Sequence, residues 1–173
     1  MAQEVFFSEH EFIVSRTDIR GKIVYANDTF LQVAGYTEDE LLGRPHSIIR
    51  HVDMPRCVFK LLWDTIQQGK EILAYVKNEC KNGDYYWVLA YVTADLDPRT
   101  SVINGYFSVR RVPNRSAVDQ IESLYAQLRE VESQHASKVK GIEASTKVLT
   151  DLLTARGVTY AELVYALQSG AVL

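Results

Sequence analysis

The chain is poor in the residues that mark export, metal binding and membrane insertion. Among its 173 residues there are two cysteines, Cys57 and Cys80, far apart and in no CxxC pair. That spacing offers neither a zinc knuckle nor a disulfide framework, and it fits a cytoplasmic protein with both thiols reduced. The N-terminal Met1-Ala-Gln-Glu-Val-Phe-Phe has no basic stretch and no long apolar stretch, so it does not read as an export signal. No window approaches eighteen apolar residues, so no membrane span is expected. Basic charge is not in excess either. A formal net charge of -3 points away from nucleic acid. No glycine-rich phosphate loop, catalytic triad, cyclase motif or kinase motif is present, and the chain is expected not to be an enzyme.

What is present divides at Pro113-Asn114. Before it lie aromatics, glycine turns and short apolar runs. After it come about sixty residues without Trp, Phe or Pro, rich in helix formers. The reading is therefore a compact α+β domain over 1–112 and a helical tail over 113–173. Phe12-Ile13-Val14 and Ile23-Val24-Tyr25 flank Asp18-Ile19-Arg20-Gly21-Lys22, a hairpin signal. Asn27 can cap a helix that carries Phe30, Leu31 and Val33 and stops at Gly35. Thr37-Glu38-Asp39-Glu40 is a capping box. Over 54–68, Val58, Leu61, Leu62 and Ile66 keep helical spacing, and Gly69 closes the run. Strands are expected over 72–80, 85–93 and 102–112, the first two joined by an Asn82-Gly83 turn.

These residues resemble a known family. Gly21-Lys-Ile-Val-Tyr-Ala-Asn27 and Gly35-Tyr36-Thr-Glu-Asp-Glu-Leu41-Leu-Gly43 are similar to the opening of PAS domains. Arg50-His51-Val-Asp53-Met54-Pro55, Lys77-Asn78-Glu-Cys-Lys-Asn82-Gly83-Asp84 and Gly105-Tyr106-Phe-Ser-Val-Arg110 resemble the PAS domain of bacterial aerotaxis receptors, over about residues 10 to 112. The resemblance implies a PAS fold, a five-stranded antiparallel sheet with short helices on one side, followed here by a C-terminal helical extension. It also implies bound FAD, held by Asn27, Arg50, His51 and Asp53, and a sensor of redox state or oxygen in energy taxis.

The chemistry of those residues suits that role. Arginine makes paired, charge-assisted hydrogen bonds to phosphate, while histidine and asparagine can donate to a flavin ring. Asp53 has a second reading as the cap of the following helix, with Arg50 paired to it on the surface. One departure stands out: Ile72 occupies the place of a family tryptophan, and isoleucine cannot stack on a flavin. Trp63, Tyr75, Tyr86, Trp87 and Tyr91 are candidate replacements, each with a second reading as a core or sheet-face residue. His46 stands where light-sensing relatives carry a reactive cysteine, so no cysteinyl–flavin adduct is expected. His46 and His51 alone make a weak haem or metal set.

In the tail, Val118, Ile121, Tyr125, Leu128, Val139, Ile142, Leu149 and Leu153 form an imperfect heptad, with polar Glu132, His135 and Thr146 at the seam. A parallel homodimer or docking to a partner helix is expected, the alternative being one amphipathic helix lying on the sheet. Gly157 and the Thr159-Tyr-Ala-Glu162 capping box start a last short helix. The signalling partner would be a protein such as a chemoreceptor or kinase, with no nucleic acid and no membrane. Two other functions remain open: a cofactor-free dimerisation adaptor, and a transcriptional regulator using its terminal helices.

Overall fold

The computed structural model describes residues 2–173. The first strand, β1 (Ile13–Asp18), turns through Asp18, whose side chain accepts the Arg20 and Lys22 amides at 2.8 and 2.9 Å. Gly21 takes a φ of 77°, and β2 (Ile23–Ala26) returns antiparallel. Asn27 then locks strand to helix. Its Oδ1 accepts Val14 N at 2.9 Å and Phe30 N at 3.1 Å, and its Nδ2 donates to the Phe12 carbonyl at 2.8 Å. Helix α1 (Asp28–Ala34) ends on Gly35 in the left-handed region, and α2 (Glu38–Leu41) starts with the expected capping box at Thr37. A 3-10 turn, His46–Ile49, follows.

After α3 (Arg56–Ile66), the chain forms β3 (Ile72–Glu79), β4 (Tyr85–Leu96) and β5 (Ile103–Arg111). The five strands order as β2-β1-β5-β4-β3, every pair antiparallel. The β3–β4 hairpin closes at Gly83, with φ 88°. Gly105 faces the β1 backbone so closely that a Cβ there would lie 2.2 Å from the Thr17 carbonyl oxygen.

The chain forms two compact units. One comprises the residues up to His51 with Thr65–Val112, and the other comprises Val52–Asp64 with Pro113–Leu173. The sequence divides at 112/113 and assigns 52–64 to the sheet domain. In the structure that segment groups with the helices, for a reason visible in its hydrogen bonds. Helix α4 (Arg115–Ser133) brings Glu132 to the start of α3, where its carboxylate accepts Arg56 N at 3.1 Å and Cys57 N at 3.0 Å.

The tail also differs from one long seam. Helix α4 stops at Ser133, and α5 (Lys138–Arg156) restarts with Ser137 as its cap. Glu132 accepts a hydrogen bond from Ser145 at 3.0 Å, so α5 folds back along α4 and helix pairing occurs within the chain. Gly157 closes α5 with φ 64°, and α6 (Tyr160–Gln168) begins with the capping box at Thr159. Ile121, Leu128, Leu149 and Val164 are buried in this unit.

Candidate functional site

Strand alternation sorts the sheet residues onto two faces. Cross-strand pairing places Ile13 with Arg110, Arg110 with Ala90, Ala90 with Ala74, Ser15 with Ser108 and Tyr86 with Asn78. One face therefore carries Ser15, Asn78, Tyr86 and Arg110. Tyr75, Lys77, Tyr85 and Trp87 alternate onto the other. There the Lys77 ammonium stands 4.3 Å from the Tyr85 ring centre.

The first face holds an uncompensated charge. Arg110 is 2% exposed, yet only its Nη2 has a hydrogen-bond acceptor, Ser15 Oγ at 2.5 Å. Its guanidinium lies over the Phe30 ring, 4.4 Å from the centre. Nε and Nη1 have no hydrogen-bond partner; beside them the Tyr86 hydroxyl and the Asn78 amide interact with each other and have no further partner. Among the described residues, the buried polar side chains of this unit are Ser15, Lys77, Asn78 and Arg110, with no carboxylate. Burial lowers the Arg110 pKa to about 10 and raises that of Tyr86. A buried cation without an anion costs several kcal/mol, on the order of 3–5 when its partner is removed.

His46 completes the arrangement. It is half-buried as a residue, but its ring turns inward, stacks on Phe30 with centres 6.0 Å apart and lies 3.1 Å from Ser15 Oγ through Nε2. Arginine only donates, so Ser15 Oγ accepts from Arg110, and the same hydroxyl is hydrogen-bonded to His46 Nε2. Burial, then the Arg110 charge, lowers the His46 pKa to about 3.

The residues expected from sequence are dispersed. Arg50 bridges its backbone to Asn78 on the free edge of β3. It is exposed as a residue, yet enough of its guanidinium is desolvated to lower its pKa, and it adds to the positive field on His46. His51 is half-buried and meets the Tyr85 ring edge-on at 5.8 Å. Asn27 spends its side chain on the β1–α1 lock described above. Tyr75 and Trp87 occupy the face opposite Arg110, buried at 0% and 3% exposure. Asp53 and Trp63 belong to the helical unit, where Asp53 pairs with Arg129 at 2.9 Å. Ile72 is buried.

The sequence reading does not single out Arg110, Asn78 or Ser15 as ligand residues; it offers Tyr86 only as a ring that could compensate for Ile72, and His46 only as half of a weak haem or metal pair. A signal existed: the apolar alternation Ile72, Ala74, Val76 ends in Asn78, and Ala90, Val88 runs back to Tyr86. Cys57 and Cys80 are buried, and burial pushes both thiols up to about 11. Among the described residues no cluster of His, Cys, Asp and Glu could hold a metal ion, and no helix is long and apolar enough to cross a membrane.

Comparison with known proteins agrees with this architecture. The PAS fold family model matches residues 23–105. The aerotaxis receptor of Escherichia coli K12 is 42% identical over 116 residues, covering 67% of this chain and 22% of the receptor. The nitrogen fixation regulatory protein of Klebsiella pneumoniae is 28% identical over 98 residues, 57% of this chain and 20% of that protein. The chain thus spans about a fifth of the length of these relatives. Among solved structures, the dark state of the blue-light photoreceptor Aureochrome1 LOV matches with a TM-score of 0.53 and 25% identity, over 70% of this chain and 85% of that one. A light-oxygen-voltage domain studied with a flavin analogue shares the fold at a TM-score of 0.54 and 22% identity, over 72% and 87% of the two chains. With its strand order, its capped short helices and its 42% identity to an aerotaxis receptor over 116 residues, the sheet-bearing part of this chain belongs to the PAS family of sensor domains.

Proposed function

We propose that this chain is a cytoplasmic redox or oxygen sensor of the energy-taxis kind, that its PAS unit binds FAD, and that it signals to a partner protein without catalysing a reaction. The observation that carries the reading is the buried Arg110 guanidinium with two unused nitrogens, Nε and Nη1, flanked by the Asn78 amide and the Tyr86 hydroxyl. Together they fit a flat guest with an acceptor-rich edge, and the carbonyls and ring nitrogens of a flavin provide one. Filling those hydrogen bonds removes the desolvation penalty of each group.

When bound, the flavin supplies electron exchange with its surroundings. The chain's own residues do the rest. Arg110 and Asn78 donate to the guest, Phe30 packs against the guanidinium, and Ser15 and neutral His46 hold Arg110 in place. Arg110 would hold a negatively charged form of the guest more tightly than a neutral one. That residue lies one position from the end of β5, and three residues separate β5 from α4. A change in the pull on Arg110 thus has a short covalent path into the helical tail. Signalling requires that the two states of the guest favour different tail arrangements. A chemoreceptor or a kinase is the class of partner expected, and a second copy of the chain is a further candidate.

The test is a spectrum. Purified protein, or protein incubated with FAD and desalted, should be yellow, with flavin bands that bleach under dithionite. A colourless chain that takes up no FAD removes the flavin from this reading and favours the cofactor-free adaptor.

A further inference from the structure

Two charged side chains on the last turns of α4 converge on the segment that opens α3. Arg129 Nη1 pairs with Asp53 Oδ1 at 2.9 Å. Three residues on, along the same helix face, the Glu132 carboxylate takes the first-turn amides of α3: Oε2 from Arg56 N and Oε1 from Cys57 N. Those amides have no acceptor within their own helix, and the positive end of the helix dipole favours an anion there. Glu132 is 6% exposed, and the donors around it are neutral: two amides, the Ser145 hydroxyl of α5 and the Cys57 thiol. A buried carboxylate balanced only by dipoles is held while all of them stay in place. On the other side of this turn Gly141 lets α5 approach, since a Cβ there would sit 2.8 Å from the Glu132 carbonyl oxygen.

We propose that the last turns of α4 are a two-point clamp that binds Asp53 and the first turn of α3 to the α4–α5 hairpin, so that the three move as one piece. The clamp gives the Arg50-His51-Val52-Asp53 stretch a second route to the tail, separate from the β5–α4 peptide connection. Asp53 serves this clamp through Arg129. Use of the clamp as a relay rests on the sensor reading above; its existence does not.

The experiment is amide hydrogen exchange on the full chain, read at Arg56 and Cys57 by NMR. In wild type both amides should exchange at the rate of the buried turns of α4 and α5. Glu132→Ala should speed them at least tenfold while the β4 amides stay unchanged, Glu132→Gln should fall between, and Glu130→Ala on the exposed side should do nothing. Equal protection in wild type and Glu132→Ala overturns the clamp. If Glu132→Ala does not fold, a double-mutant cycle of Asp53→Asn and Arg129→Met replaces it: the two changes should be non-additive by threefold or more in the Arg56 exchange rate, and strict additivity overturns the clamp. For the relay, FAD-loaded protein is compared before and after dithionite. A rate change at Arg56 and Cys57 that is lost in Glu132→Gln supports it, and identical rates in a visibly flavin-loaded protein overturn it. Failure to load FAD strikes the sensor reading and leaves the clamp measurement intact.

Discussion

Arg110 is the residue at which stability and binding pull apart. Replacing even a buried ion pair by apolar side chains of similar volume is often neutral or stabilising, by about 1–4 kcal/mol, and a buried cation with no anion has less attraction to lose. Arg110→Met should therefore melt at or above the wild-type temperature without ligand, while its FAD uptake falls more than tenfold. Calorimetry and a flavin titration on the same preparation check both halves. His46 makes a second prediction through its protonation. Its folded pKa, about 3, lies below its ordinary 6.5. The unfolded chain thus binds the extra proton first, and stability present above pH 6.5 is lost as the pH falls towards about 3. His46→Gln should flatten the denaturation midpoint between pH 6.5 and 4.5, above the range where ordinary carboxylates titrate. Gly105 makes a third. The Thr17 carbonyl occupies the space of any Cβ, so Gly105→Ala must push β1 from β5 and should cost roughly 1–3 kcal/mol in urea unfolding.

At the scale of elements, the sequence is legible where signals are local. The Asn27 cap, the Thr37 and Thr159 boxes and the glycine stops at Gly35 and Gly157 all sit where they were read, because each is decided within five residues. The helix over 54–68 shortens to Arg56–Ile66. The sequence reads the tail as one seam because Leu128 and Val139 keep heptad register across 132–137, and nothing nearby marks Glu132 as an inward carboxylate serving another helix. Its partners are 75 and 76 residues away in the chain. The site was hidden for a related reason. Motif resemblance points to Asn27, Arg50, His51 and Asp53, whereas the orphaned donors emerge only when β3, β4 and β5 are paired in register. Gly141→Ala is the prediction at this scale. The added methyl meets the α4 backbone, and the hairpin should lose about 1–3 kcal/mol, seen as faster exchange in α4 and α5 with the β3–β4 hairpin unaffected.

For the whole molecule, the two units do not follow chain order. Residues 52–64 lie in sequence within the PAS region and in space with the helices. A chain ended after Val112 would leave the Arg56 and Cys57 amides without Glu132 and Asp53 without Arg129. It should melt lower than the full chain by about 4–8 °C for each kcal/mol lost, readable by circular dichroism. The buried cysteines carry a last consequence. With both sulfurs kept as neutral thiols well above physiological pH, mild alkylating reagents should pass the native protein by. A single cysteine placed on an exposed turn would then be the one reactive handle on the surface. Spin labels attached there could report distances between copies, or between resting and stimulated forms, without first rebuilding the chain to remove its natural sulfur.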